Sequence, residues 1–99
     1  MGKLDSRIAV VTGGADGIGR AIAQAFANEG ASVGLLDINA TKVAETAAAI
    51  PRSRALVCDV SDRAAVVRTI DGFVAEAGGL DILVNNAAYF HYAPLTQMP

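Results

Sequence analysis

Ile8-Ala9-Val10-Val11-Thr12-Gly13-Gly14-Ala15-Asp16-Gly17-Ile18-Gly19 constrains this chain more than any other stretch. Apolar residues run into a glycine-rich turn, and an apolar helical repeat leaves it. The pattern predicts a strand, a tight loop and a helix N-terminus. The first N–H groups of a helix have no partner inside it and favour an anion, usually a phosphate. Glycines let such a loop reach positive φ and let a ligand approach the backbone. The stretch therefore reads as a nucleotide pyrophosphate site. Its glycines fall as G-x-x-x-G-x-G at Gly13, Gly17 and Gly19. The general dinucleotide fingerprint, G-x-G-x-x-G, would place its third glycine at Ile22. A P-loop would need Gly-Lys-Ser/Thr, and no lysine lies near.

The remaining chain alternates between the two hydrophobic periods. Strands are expected at about Ile8–Thr12, Ser32–Asp37, Ser53–Cys58 and Leu80–Asn85. Helices are expected between them. The first spans about Gly17–Glu29, with Ile18, Ile22, Ala25 and Phe26 inward, and Gly30 stops it. The second spans Thr41–Ile50, with Val43, Ala47 and Ile50 inward, and Pro51 ends it. The third runs to about Ala77, capped by Ser61, with Val66, Val67, Ile70, Phe73, Val74 and Ala77 as its stripe. Near-continuous apolar strands alternating with helices imply an α/β fold with a parallel sheet covered on both faces. The expected architecture is a Rossmann-type sheet of order 3-2-1-4, an incomplete doubly wound fold. Right-handed crossovers then put the first two helices on one face and the third on the other. The order reverses between strands one and four, and such sheets bind ligands there, at the carboxyl ends of the strands.

Composition removes several functions. Ninety-nine residues suit a single domain, without linker or repeat. A net charge of −2 with no basic cluster argues against nucleic acid. No apolar run approaches a membrane span, and the N-terminus lacks the apolar block of a secretory signal. One cysteine, Cys58, excludes an internal disulfide, fits a reducing cytoplasm and reads as a small buried side chain. Met1-Gly2 with Ser6, and Asn39-Ala40-Thr41, match lipidation and glycosylation patterns by accident of composition. No metal site is expected.

Three further positions surround the loop. Asp37 ends the second strand eighteen residues after Gly19, near the expected spacing for a carboxylate that takes the adenosine ribose hydroxyls. A carboxylate there repels a 2′-phosphate, and Asp16 adds negative charge inside the loop, so both point to NAD. Asp59 follows strand three, placed to accept from an adenine amino group. Asn85-Asn86 closes strand four, where amides can tie strand ends together.

With these motifs in register, the chain resembles the short-chain dehydrogenase/reductase family over almost its whole length. Thr12–Gly19, Asp37, Asp59-Val60 and Asn85-Asn86-Ala87-Ala88 carry the likeness. The resemblance implies that Gly13 and Gly17 shape the turn, and that Ile18 and Gly19 offer backbone to the pyrophosphate. It implies Asp37 on the ribose, Asp59 and Val60 at the adenine, and Asn85 and Ala87 on the adenosine ribose through backbone. Ala88 departs from the family's usual glycine. With the aromatic stretch Tyr89-Phe90-His91-Tyr92, it resembles members that include polyol and sugar dehydrogenases. The implied activity is hydride transfer between NAD and an alcohol or ketone, in a homo-oligomer at full length.

The family's chemistry uses a tyrosine with a lysine four residues on, which lowers the tyrosine pKa. Only Lys3 and Lys42 are present, and Tyr89 and Tyr92 are followed at that spacing by Ala93 and Thr96. In family order the catalytic segment comes after Pro99, so residues 1–99 read as the N-terminal part of one NAD-binding domain. No catalytic residue is assigned, and His91 reads as structural or solvated. Strand four would lack its usual neighbour, and a bare edge with open apolar surface predicts an unstable or aggregating polypeptide. The competing expectations are a non-catalytic nucleotide-binding module and an inactive relic.

Overall fold

The computed structural model describes residues 2–86. The elements follow in the order β1 (Ile8–Thr12), α1 (Gly17–Asn28), β2 (Ser32–Asp37), α2 (Ala40–Ala49), β3 (Ser53–Val57), α3 (Arg63–Ala77) and β4 (Ile82–Val84). All pairings are parallel, and the sheet order is β3-β2-β1-β4. The expected fold class and strand order therefore both hold. β1 pairs with β2 from Ile8↔Ser32 to Thr12↔Leu36, and with β4 up to Val11↔Val84. This register brings the carboxyl ends of β1, β2 and β4 level, with the glycine loop leaving from among them.

The crossovers segregate the core into two layers. Val11, Val33 and Leu35 point to one face, where Ala23 and Ala27 of α1 and Val43 of α2 cover them. Val10 and Leu36 point to the other, against Val66, Ile70 and Phe73 of α3. Alternate residues of one strand thus feed opposite layers, as the two-residue pleat requires. The central strands β1 and β2 are the most deeply buried, whereas β3 and β4 are largely half-buried or exposed.

Several local expectations change. The buried line of α1 is Gly19, Ala23 and Ala27, with Ile22 and Phe26 beside it. Ile18 is 71% exposed and Ala25 is exposed, because small residues let α1 sit close to the sheet and turn the larger ones to the flank. Val67 is likewise exposed on α3. α3 is capped by Asp62, whose side chain accepts from Ala65 N, and not by Ser61. Ser61 instead serves Asp59. β3 stops at Val57 and β4 spans only Ile82–Val84. α2 begins one residue earlier than expected because Asn39 caps it through Lys42 N.

Candidate nucleotide-binding site

The loop after β1 is held from beneath by β2. Gly13 N and Gly14 N both donate to the Leu36 carbonyl, at 2.7 and 3.4 Å. Gly13 and Gly17 take φ of 67° and 58°, a region in which a side chain is strained. A Cβ on Gly19 would overlap the Gly13 carbonyl oxygen and lie 2.8 Å from Asn86 Nδ2. Gly19 is therefore a close-approach glycine, where α1 presses against its own entry loop. A Cβ on Gly17 would meet nothing within 4 Å, so the surface above the loop is open.

The start of α1 has the donors of an anion site. Asp16 caps the helix, its Oδ1 accepting from Gly17 N at 2.8 Å. Among the described residues, no acceptor serves Ile18 N or Gly19 N. These two amides, with open space at Gly17, fit a pyrophosphate. The Asp16 carboxyl is held below the usual aspartate range. The hydrogen bond from Lys42 contributes most, followed by the Gly17 N–H and the Lys42 charge, with a weaker pull from Arg20.

Asp37 stands at the carboxyl end of β2, beside the loop. Its Oδ2 accepts from Ala15 N at 3.2 Å and its Oδ1 from Asn39 N at 3.1 Å. A carboxylate has about four acceptor positions, so these bonds orient the group and leave room for two ribose hydroxyls. Asp59 lies at the end of β3 and is exposed. Its Oδ1 takes both Ser61 donors, N at 2.9 Å and Oγ at 2.7 Å, and these hydrogen bonds hold its carboxyl below the usual range. Among the described residues, none donates to Oδ2. Val60 is buried with Leu36 and Cys58 in the α3-side core, so its side chain is structural and only its backbone is available to a ligand. Asn85 is half-buried at the end of β4. Ala87, Ala88, the tyrosines and His91 lie outside the described residues.

The roles of three residues of the site escaped the sequence reading. Thr12 is fully buried at the last position of β1. Its hydroxyl accepts from Asn86 N at 2.8 Å and shares its proton between the Val84 carbonyl and Asn85 Oδ1, both at 3.3 Å. It is Thr12, more than the asparagine amides, that ties β1 to the exit of β4. A hydroxyl closing an otherwise apolar strand was the available signal. Thr46 on α2 donates to the Ala15 carbonyl at 2.7 Å from a buried position. Lys42 on the same helix pairs with Asp16 Oδ2 at 3.0 Å. No sequence pattern announces these two, since they depend on where α2 docks.

A separate hollow of about 290 Å³ lies at the opposite, amino ends of β2 and β3, lined by Arg52, Arg54, Phe73 and Glu76 among others. Arg54 and Glu76 pair across it, and it is remote from the glycine loop. Among the described residues, no group of His, Cys, Asp and Glu could hold a metal ion, and no helix is long and apolar enough to cross a membrane.

Comparison with known proteins agrees with this fold. The family model described as short chain dehydrogenase matches residues 7–99. The chain is 44% identical over 97 residues to sorbitol dehydrogenase of Cereibacter sphaeroides, covering 97% of this chain and 38% of that one. It is 46% identical over 94 residues to galactitol 2-dehydrogenase of Agrobacterium fabrum, covering 94% of this chain and 37% of that protein. The fold matches the crystal structure of NAD+-bound xylitol dehydrogenase with a TM-score of 0.79 at 34% identity, over 82% of this chain and 33% of that one. Hydroxysteroid dehydrogenase from Escherichia coli gives 0.79 at 36% identity, over 83% and 37% of the two chains. The chain thus spans well under half the length of the curated relatives it matches.

Proposed function

The chain belongs to the short chain dehydrogenase family, and from that membership we propose that it forms the cofactor-binding part of an NAD-dependent oxidoreductase acting on a polyol or sugar alcohol. One observation carries the cofactor choice. Asp37 is fixed beside the glycine loop by Ala15 N and Asn39 N, where it would accept the adenosine ribose hydroxyls and oppose a 2′-phosphate. A charge-assisted hydrogen bond contributes about 1.5–3 kcal/mol, roughly a ten- to hundredfold preference before charge repulsion is added.

In this reading Ile18 N and Gly19 N take the pyrophosphate, helped by the positive end of α1. Asp59 Oδ2 accepts from the adenine amino group and Val60 serves there through backbone, while Asn85 and Ala87 serve the adenosine ribose through theirs. When bound, NAD supplies the hydride acceptor or donor. The described residues bind and orient it, and the proton-transfer groups belong to a later segment. The polyol substrate class rests on the sorbitol and galactitol dehydrogenases named above. The half-buried β4 edge is where further strands would add, and the 99 residues alone are expected to associate or unfold.

The coding sequence beyond Pro99 tests the proposal. An in-frame Tyr-x-x-x-Lys, and a product that binds NAD more tightly than NADP and oxidises a polyol, supports it. A product of that sequence that binds NAD without turnover favours a non-catalytic nucleotide-binding module instead. One that binds no NAD defeats both readings.

A further inference from the structure

Asp16 and Lys42 are twenty-six residues apart, yet they form a direct ion pair across the mouth of the site. Asp16 is the last residue before α1, and Lys42 is in the first turn of α2. Beside Asp16 in the chain stands Ala15, whose N–H donates to Asp37 and whose carbonyl accepts from Thr46, one turn after Lys42 on α2. The pair therefore lies next to the residue whose N–H positions the ribose-side carboxylate. Lys42 is one of only two lysines in the chain, and Lys3 lies in the N-terminal segment, bonded through its backbone to Glu29.

We propose that the Asp16–Lys42 pair is a specificity latch: Asp16 engages the one ammonium group at the ribose end of the site and so denies it to a 2′-phosphate. The inference rests on the NAD reading above and extends it to residues outside the ribose contact. An ammonium group at this place is otherwise well suited to a phosphate dianion, since a lysine acts on it as a point charge. Asp37 alone repels the phosphate. The latch adds a second barrier, because a 2′-phosphate would have to compete with Asp16 for Lys42. The structure also explains why the loop tolerates an acidic residue at position 16. One oxygen caps α1 through Gly17 N and the other holds Lys42, so neither is left without a partner.

The test is calorimetric affinity of the whole protein carrying this segment for NADP and for NAD, expressed as a ratio. Asp16→Ser keeps a side-chain oxygen to cap Gly17 N but is too short to reach Lys42. The ratio is expected to move toward NADP by about tenfold in Asp16→Ser, up to about fivefold from freeing Lys42 of an exposed ion pair and the rest from removing one negative charge. In Asp16→Ser with Lys42→Ala, most of that gain should vanish, leaving the few-fold effect of removing one negative charge. Adenosine 2′,5′-bisphosphate against AMP should repeat the pattern without the nicotinamide half. An unchanged ratio in Asp16→Ser overturns the latch, as does an equal gain in the single and double variants. A wild-type protein that prefers NADP refutes the NAD reading itself, and is thereby distinguished from failure of the latch alone. Because each value is a ratio within one variant, a loss of stability does not imitate it.

Discussion

Thr12→Val isolates the bond that fixes the exit of β4 against the glycine loop. Valine has nearly the shape of threonine, so the fully buried site gains no cavity. What is lost is the acceptor for Asn86 N at 2.8 Å and the longer 3.3 Å donation to Val84 and Asn85. A buried N–H left without a partner costs about 1–3 kcal/mol. This bond is only partly buried, and removing the hydroxyl also removes its own desolvation cost. The expected loss is therefore about 1–2 kcal/mol, a five- to thirtyfold shift in the folding equilibrium. Thr12→Ser keeps the hydroxyl and gives up a buried methyl, for about 1 kcal/mol. Urea denaturation of the whole protein should find the two variants similarly destabilised. NAD affinity should separate them. Asn86 also flanks Gly19, so releasing its backbone loosens the wall of the site. Thr12→Val should weaken NAD about three- to tenfold, and Thr12→Ser should leave it near wild type. Equal NAD affinity in the two variants would refute the positioning role, and an unchanged denaturation midpoint in Thr12→Val would refute the hydrogen-bond accounting.

Other outcomes follow from the same geometry. Gly19→Ala should destabilise the protein and abolish tight NAD binding, although alanine in a helix is normally favoured over glycine by about 0.5–1 kcal/mol, because its Cβ meets the Gly13 carbonyl; a more stable variant by thermal melting contradicts the close approach. Gly34→Ala should cost about 1–3 kcal/mol by overpacking without altering the NAD to NADP ratio, since its Cβ would lie 2.8 Å from Leu56 Cδ1 and 3.2 Å from Phe73 Cε2, away from the loop. Asp16 and Asp59 have carboxyls lowered by folding, so their contribution to stability is full above the ordinary aspartate range and is lost as pH falls through their folded values. Carboxyl-carbon NMR should show both titrating below free aspartate, and Lys42→Ala should raise Asp16 alone; an unmoved Asp16 midpoint would mean that the ion pair does not persist in solution.

Much of this protein was written in its pattern of residues. The switch between a two-residue and a 3.6-residue hydrophobic period, punctuated by Gly30, Pro51 and Gly78-Gly79, is a local property, and it yielded every strand and helix of the described residues in order. Right-handed crossovers then left little freedom, so the order β3-β2-β1-β4 and the two-layer core followed. The glycine spacing and Asp37 were legible for the same reason, since they act through backbone shape and strand ends. Helix facing was read less well. Ile18 looked inward by hydrophobicity and turned outward, because Gly19, Ala23 and Ala27 allow α1 a closer approach to the sheet than any large residue. Val67 also turned outward, since α3 buries the line of Val66, Ile70 and Phe73 instead. Ser61 and Asp62 are both good caps, and only the claim of Asp59 on Ser61 decided between them.

The sequence by itself determined the fold class, the order of elements and the place of the glycine turn before α1, all of which depend on neighbours in the chain. Tertiary structure alone decided how that site is braced. Thr12 with Asn86, Thr46 with Ala15 and Asp16 with Lys42 are each joined across twenty-six residues or more. Such pairs have no period and no motif. They exist because packing sets the docking of α2 and the exit of β4 to within the length of a hydrogen bond, and that distance is fixed by the whole core at once.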